Sequence, residues 1–243
     1  MTAPFLRAVE LPPVRHSQEL ARRGHPWTLP FVAQLKEGVA FDGPVTFLVG
    51  ENGSGKSTLI EALAYALGLN TEGGSSGLRF RTRWEEPALG RELRVVRGGP
   101  RPHTDFFLRA ESFYNAATAI EETAGLDNYG GRSLHEQSHG ESFLALILNR
   151  FGPHGLYLLD EPEAALSPQN VLVLLRRMHQ LVADGCQFVV ATHSPLLLAY
   201  PGATIYELGQ AGIERIGFDA AEPVRLTRAF LNAPERFLAD LLD

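Results

Sequence analysis

The sequence predicts an α/β fold with a mixed sheet whose central strands are parallel. Two apolar runs, Leu156–Leu159 and Gln187–Ala191, have the length and composition of strands that are buried on both faces. A third run, Val45–Val49, is followed by a glycine-rich segment and then by a helix-like run over Leu59–Leu67. The chain has 243 residues, enough for one α/β domain with a full core, and we expect a single domain over residues 1–243.

A small β subdomain is predicted for the N-terminal half. Phe5–Leu11 reads as a first strand, and Pro12 ends it because proline lacks a backbone N–H donor. Two short β-like runs, Leu93–Val96 and Phe106–Leu108, lie on either side of a turn rich in glycine and proline. We therefore expect residues 78–110 to form an antiparallel subdomain at the edge of the main sheet.

Helices are predicted mainly for the second half. Residues 111–152 are expected to form a helical region, because both Ser112–Thr123 and Glu141–Phe151 read as helices. Ser167 followed by Pro168 is typical of a helix start, since serine caps the first turn and proline suits its first position. The remaining predicted elements are a helix over Gln169–Ala183, a hairpin of Ala203–Leu208 with Ile213–Ile216, and one or two short helices within Thr227–Leu242.

Charge and cysteine content limit the classes of protein to which this chain could belong. With 22 basic and 28 acidic residues, the formal net charge of −6 does not favour nucleic-acid binding by the whole molecule, although eight arginines lie between residues 79 and 109. Cys186 is the only cysteine, which excludes a disulfide and a cysteine metal site and is expected in a reducing cytoplasm. Because the apolar runs are too short to span a bilayer, we expect a cytoplasmic protein with no direct membrane insertion.

The segment GENGSGKST carries the strongest functional signal. Glycines allow consecutive backbone N–H groups to point at phosphates, Lys56 adds a positive charge, and the Ser57 hydroxyl can bind Mg²⁺. A simple glycine-rich turn would require neither of these two side chains at these positions. The motif predicts a nucleoside triphosphate with Mg²⁺, bound by Gly50, Asn52, Gly53, Ser54, Gly55, Lys56, Ser57 and Thr58.

Two acids follow the apolar run Leu156–Leu159, as a Walker B motif requires. Asp160 is predicted to hold Mg²⁺ indirectly, for instance through a water molecule, and Glu161 to orient or deprotonate an attacking water. Two adjacent acids could also form a solvated corner, but a glycine-rich phosphate loop upstream favours the functional interpretation.

Two further polar segments are candidates for the same site. In QSHGE, the side chain of Ser138, the helix N-terminus at Gly140 and Glu141 could meet an anion, or Ser138 could simply cap the helix. In ATHSP, His193 follows a predicted strand at the edge of the sheet where ligands of α/β folds bind, although a lone histidine there is more often structural.

Taken together, GENGSGKST, QSHGE, LYLLDEPEAALSP and ATHSP resemble the ATP-binding cassette (ABC) ATPases, above all the small SMC/RecF-like and AAA-type members. The resemblance covers Val45 to Pro195 and implies an ABC-ATPase-like P-loop NTPase fold. It implies that Glu161 is the catalytic base and that His193 is the switch histidine. It also implies that Ser138, Gly140 and Glu141 form the signature motif, which touches ATP held by the second subunit of an ATP-dependent homodimer. In the reaction that we expect, Lys56 and the helix N-terminus stabilise the transferring charge.

The sequence departs from that family in three respects. The signature reads SHGE rather than SGGQ, and no clear Q-loop glutamine is present, with Glu111 as a candidate replacement. Only 78 residues separate Thr58 from Gln137, which leaves no room for a long coiled coil.

Other side chains have two interpretations each. Trp27 or Phe31 could stack on adenine or pack beneath a loop, and the second interpretation is favoured. The alternating Arg79, Arg81 and Arg83 could contact nucleic acid or form a solvated face, and here too the second is favoured.

The expected activity is Mg²⁺-dependent ATP hydrolysis with ATP-induced dimerisation, in a DNA-transaction or defence process. Candidate partners are DNA and a separate effector protein. The alternatives are the motor subunit of a membrane transporter and a slow nucleotide-dependent switch or scaffold.

Overall fold

The computed structural model describes residues 4–12, 24–76, 87–113, 118 and 138–242. In this part of the chain, no helix is long and apolar enough to cross a membrane. The strands are β1 (Leu6–Glu10), β2 (Val39–Ala40), β3 (Val45–Val49), β4 (Arg94–Arg97), β5 (Thr104–Arg109), β6 (Gly155–Asp160), β7 (Gln187–Ala191), β8 (Thr204–Gly209) and β9 (Gly212–Ile216).

The strands form two sheets. The larger sheet has six strands in the order β5-β6-β7-β3-β8-β9, and all of its neighbours are parallel except the hairpin β8-β9. The smaller sheet has the order β2-β1-β4 and is antiparallel. The predicted α/β fold with a mixed sheet is therefore confirmed, as is the predicted C-terminal hairpin.

The prediction of one antiparallel subdomain over residues 78–110 is wrong in its strand pairing. β4 pairs antiparallel with β1 in the small sheet, but β5 pairs parallel with β6 in the large one. The reason is burial, because Phe106, Phe107 and Leu108 are all fully buried and so require cover on both faces. The turn between the two strands is a crossover between sheets and not a hairpin. The single-domain organisation over residues 1–243 stays a prediction.

The helices agree with the predicted ones where both can be compared. Ser167 caps its helix by accepting a hydrogen bond from the Asn170 backbone N–H at 3.3 Å, with Pro168 at the first position. The predicted helix over Ser112–Thr123 lies almost wholly outside the described residues. The described helices are α1 (Pro30–Gln34), α2 (Lys56–Leu67), α3 (Ala88–Glu92), α4 (His139–Arg150), α5 (Pro168–Ala183), α6 (Pro195–Leu198), α7 (Glu222–Asn232) and α8 (Pro234–Leu242).

The large sheet has an apolar core on each face. One core contains side chains of α4 and α5, such as Phe143 and Leu174, packed with the sheet residues Phe47 and Tyr157. The other contains side chains of α1, α2 and the small sheet. Cover on both faces explains why β3, β6 and β7 are fully buried along their length.

Gln187 ties the small sheet to the large one. Its Oε1 atom accepts a hydrogen bond from the Leu6 backbone N–H at 2.9 Å, and its Nε2 atom donates to the Leu6 carbonyl at 2.8 Å. Nε2 also donates to the Phe41 carbonyl at 3.2 Å, and the side chain is only 2% exposed. One buried amide therefore satisfies backbone groups that neither sheet pairs by itself.

We predict that Gln187→Ala lowers the free energy of unfolding by about 3 kcal/mol, because unpaired buried polar groups cost about 1–3 kcal/mol each. Urea unfolding followed by circular dichroism measures this loss. The matched control is Gln180→Ala, at an exposed position of α5. An equal, small effect of both changes would contradict the role of Gln187.

Candidate functional site

The glycine loop between β3 and α2 has a backbone that other residues rarely adopt. Gly50, Gly53 and Gly55 have φ angles of 144°, 82° and 96°. A side chain at Gly50 would collide with the backbone carbonyl of Leu208, and one at Gly55 would collide with the ring of Phe31. Glycine is therefore required at both ends of the loop. It allows the chain to turn tightly before the helix begins.

Lys56 lies under this loop and stabilises it. The side chain is 4% exposed, and its Nζ atom donates to the carbonyls of Gly50 at 2.8 Å and Glu51 at 3.1 Å. Burial lowers the pKa of Lys56, while the nearby charges of Glu161, Asp160 and Glu163 raise it. A cation is thereby fixed where the loop would receive phosphate groups.

The loop has further groups suited to phosphate. The Ser54 Oγ atom is buried and has no hydrogen-bond partner among the described residues. The first turn of α2, which contains Ser57 and Thr58, presents backbone N–H groups that have no partner within the helix. Gly53 and Asn52 lie at the exposed tip of the loop. These features fit the predicted triphosphate site.

Ser57 and Asp160 meet below the loop. The Ser57 Oγ atom donates a hydrogen bond to Asp160 Oδ1 at 3.2 Å, so the two predicted metal ligands are adjacent. Burial raises the pKa of Asp160 to about 6, against the opposing influence of the Arg109 charge and the Ser57 hydrogen bond. Among the described residues, no group of three or more His, Cys, Asp or Glu side chains could hold a metal ion. Mg²⁺, which prefers oxygen ligands, fits this pair only with additional oxygens from phosphates and water.

Glu161 and His193 face each other from the ends of neighbouring strands. His193 Nε2 lies 3.5 Å from Glu161 Oε1. Glu161 has a left-handed backbone with φ of 49°, and its N–H donates to the Ala191 carbonyl at 2.9 Å, which ties the ends of β6 and β7 together. The two predicted catalytic side chains are thus brought together, although they are 32 residues apart in the sequence.

The predicted signature residues form a helix cap. The backbone N–H and the hydroxyl of Ser138 donate to Glu141 Oε2 at 3.0 and 2.6 Å, and the Glu141 backbone N–H donates to the Ser138 hydroxyl at 3.4 Å. The capping role of Ser138 is therefore present in the structure. A side chain at Gly140 would lie 2.9 Å from the Ala165 carbonyl, so glycine allows α4 to approach the turn after β6.

A small cavity of about 270 Å³ joins several of these groups. It combines predicted site residues with others that sequence reasoning did not assign to it. Its lining residues are Ser57, Arg109, Ala110, Glu111, His139, Asp160, Glu161 and Ala164.

Arg109 is a site residue that sequence reasoning missed. It lies opposite Asp160 in the register of β5 and β6, and its Nε atom is 3.3 Å from Asp160 Oδ2. Its other nitrogens lie 3.2 Å from Glu111 and 3.7 Å from Glu61. The sequence shows Arg109 only as one of eight arginines in a basic stretch, because two of its three acidic partners come from β6 and α2.

The aromatic candidates for adenine stacking do not share one environment. Phe31 is 1% exposed and belongs to the core beside α2, as the packing interpretation predicts. Trp27 is partly buried and packs against the same core. Arg79, Arg81 and Arg83 lie outside the described residues.

Two family descriptions match the chain. Residues 30–104 match "AAA domain", and residues 120–199 match "AAA domain, putative AbiEii toxin, Type IV TA system". The vitamin B12 import ATP-binding protein BtuD of Citrobacter koseri is 30% identical over 170 residues, which cover 62% of this chain and 67% of that protein.

Two other relatives share shorter parts of their length with the chain. The xylose import ATP-binding protein XylG of Moorella thermoacetica is 27% identical over 171 residues, 62% of this chain and 34% of that protein. The DNA repair protein rad50 of Schizosaccharomyces pombe is 50% identical over 49 residues, 18% of this chain and 4% of that protein. The chain therefore spans about a third of the length of the xylose import protein.

We predict that Asp160→Asn changes how stability depends on pH. The pKa of Asp160, raised to about 6 from its ordinary value of 3.8, means that the folded chain binds a proton more tightly than the unfolded chain. The contribution of Asp160 to the free energy of unfolding is therefore present at pH 4 and is lost as the pH rises through 6. Relative to the wild type, the variant should gain about 2–3 kcal/mol between pH 4 and pH 7.

Urea unfolding at four pH values measures this difference without nucleotide. Asp42→Asn, at an exposed position, is the control and should follow the wild type at every pH. A constant difference between Asp160→Asn and the wild type across this range would refute the prediction.

Proposed function

The chain belongs to the ABC/AAA-type P-loop ATPases, a family of ATP hydrolases, and we propose that it cleaves ATP to ADP and phosphate with Mg²⁺. The observation that carries this proposal is that two pairs of side chains lie close together next to the glycine loop. Ser57 touches Asp160, and Glu161 faces His193. Ser57, Asp160 and Glu161 line one cavity, and buried Lys56 directly precedes Ser57 in α2. The glycine loop that would bind phosphates, the two candidate Mg²⁺ ligands and a candidate base therefore lie close to one another.

Each side chain has a definite task in the proposed reaction. Lys56 and the N-terminus of α2 bind the phosphates and stabilise the charge that develops on the transferred group. Mg²⁺, when bound at Ser57 and Asp160, supplies further neutralisation of phosphate charge. Glu161 accepts a hydrogen bond from the attacking water, orients it in line and takes its proton as the water attacks the γ-phosphate, and His193 holds the Glu161 side chain and the water in place.

We further propose that ATP brings two copies together. The resemblance to ABC ATPases supports this, since it assigns Ser138, Gly140 and Glu141 to contacts with the nucleotide of a second subunit. In the structure, the Ser138 hydroxyl is exposed and donates a hydrogen bond to Glu141 at the start of α4. In the proposed dimer, this hydroxyl and the helix N-terminus would face a phosphate of the partner's ATP.

We predict that Glu161→Gln lowers the rate of ATP hydrolysis by at least 100-fold while ATP binding stays close to normal, because the amide cannot accept the proton of the water. Phosphate release and binding of a fluorescent ATP analogue measure the two effects. Light scattering with Mg²⁺·ATP should detect a dimer that persists in this variant.

Glu214→Gln, at an exposed position of β9, is the matched control and should leave turnover unchanged. Retained turnover in Glu161→Gln would remove this residue from the role of base. A variant that stays monomeric with ATP bound would count against dimerisation.

For the biological process, we propose a DNA-transaction or defence role. The description of the second matching family names a toxin–antitoxin system, and rad50 is named as a DNA repair protein. The arginine-rich stretch between residues 79 and 109 supports contact with nucleic-acid phosphates, apart from Arg109, which belongs to the ATP site itself. A separate effector protein would then use the ATP-driven engagement of two copies.

We predict that double-stranded or single-stranded DNA stimulates ATP turnover several-fold and that this stimulation falls steeply between 50 and 200 mM salt, because basic contacts to phosphates release counterions. A variant with three arginines of the basic stretch replaced tests this contact. The control is a variant in which three exposed arginines from other parts of the chain are replaced. The test residues are Arg79, Arg81 and Arg83, and the control residues are Arg176, Arg215 and Arg236.

The similarity to import ATP-binding proteins favours a second candidate, the motor subunit of a membrane transporter. Active turnover that DNA leaves unchanged at every salt concentration would favour that candidate. ATP binding without measurable turnover would instead favour a nucleotide-dependent switch or scaffold.

A further inference from the structure

Glu163 makes a contact across the site that neither its position in the sequence nor the proposed reaction accounts for. It lies in the short 3₁₀ turn Pro162–Ala165 that follows β6. Its Oε1 atom accepts two hydrogen bonds from the segment after β7, from Thr192 Oγ1 at 2.7 Å and from the His193 backbone N–H at 2.6 Å. One carboxylate oxygen thus joins the two polar segments that leave neighbouring strands.

The contact fixes more than one residue of the second segment. Thr192 is fully buried, and its Oγ1 atom, while donating to Glu163, accepts a hydrogen bond from the Ser194 backbone N–H at 2.9 Å. Glu163 therefore holds Thr192 and His193 directly, and Thr192 in turn holds Ser194. The backbone that carries the His193 ring cannot shift without breaking both hydrogen bonds to Glu163.

Glu161 is held by other contacts of the same turn. Its N–H donates to the Ala191 carbonyl at 2.9 Å, and its carbonyl accepts from the Ala164 N–H at 3.0 Å. The turn therefore determines the position of Glu161 through its backbone and that of His193 through the Glu163 side chain. The resulting distance between Glu161 Oε1 and His193 Nε2 is 3.5 Å.

We propose that Glu163 is a positioning residue of the ATPase site, which holds the His193 ring against Glu161 without itself touching the reactants. The inference rests on the proposed function, because it assigns a task within the same site. This task requires only that residue 163 accept hydrogen bonds. Glutamine, whose side-chain carbonyl also accepts, should therefore preserve the function, and alanine should not.

The first test compares Glu163→Ala with Glu163→Gln in steady-state ATP hydrolysis. We expect kcat to fall about 10- to 100-fold in the alanine variant, since small displacements of catalytic groups have effects of that order. KM for ATP should change less than about threefold, because the glycine loop keeps its contacts. The glutamine variant should retain most of kcat, and an equally large loss in both variants would assign the effect to charge and overturn the inference.

A double-mutant cycle separates positioning from general damage to the fold. If Glu163 acts through His193, adding Glu163→Ala to His193→Ala should lower kcat by less than about threefold beyond His193→Ala alone. Independent effects that multiply would contradict the inference. Urea unfolding of each variant identifies those that are folded at the assay temperature.

A second readout requires no turnover. In protein with ¹³C-labelled histidine, the ring signal of His193 can be assigned by its loss in His193→Gln. We expect this signal to coincide in the wild type and Glu163→Gln and to move or broaden in Glu163→Ala. If the wild type lacks ATPase activity, the proposed function fails while this spectrum still tests the contact; an unmoved signal in Glu163→Ala would overturn the inference in either case.

Discussion

The parallel register of three buried strands is the constraint on which the site depends. In this register, Ala191 of β7 stands beside Asp160 of β6 on one side and beside Leu48 of β3 on the other. Because the strands run in the same direction, the segments that leave them meet at one edge of the sheet. A shift of one residue would turn buried side chains to the opposite face of a sheet that has a core on both, so packing fixes the register and thereby the site.

At this edge of the sheet, two basic side chains compensate the charges of the acidic side chains around them. Lys56 lies near Asp160, Glu161 and Glu163, whose charges oppose the effect of burial on its pKa. Arg109 has a similar task, since it contacts Asp160 together with Glu61 and Glu111. Acids next to a phosphate cradle would repel a triphosphate. The two basic side chains offset that repulsion and act with the metal, which explains how a site rich in carboxylates can suit an anionic ligand.

The sequence predicts the parts of the site that are local and fails where contacts come from other strands. The loop from Gly50 to Lys56 and the acids after β6 carry their chemistry within a few residues, so motif and context suffice. Arg109 meets Asp160 through the parallel pairing of β5 with β6, where the sequence predicted an antiparallel subdomain. The task of Glu163 depends in the same way on the segment after β7. Non-local pairing, rather than residue preference, was the missing information.

The turn after β6 links the site to the signature helix. Glu161 directly precedes the turn, Glu163 within it binds the segment with His193, and the Ala165 carbonyl lies close to Gly140 at the start of α4. Because Gly140 has no side chain, α4 and this turn are in direct contact and neither can move far alone. A partner that displaced α4 would therefore also press on the turn that positions both proposed catalytic side chains. In a dimer in which α4 contacts the second nucleotide, this contact would make hydrolysis in one site depend on occupancy of the other.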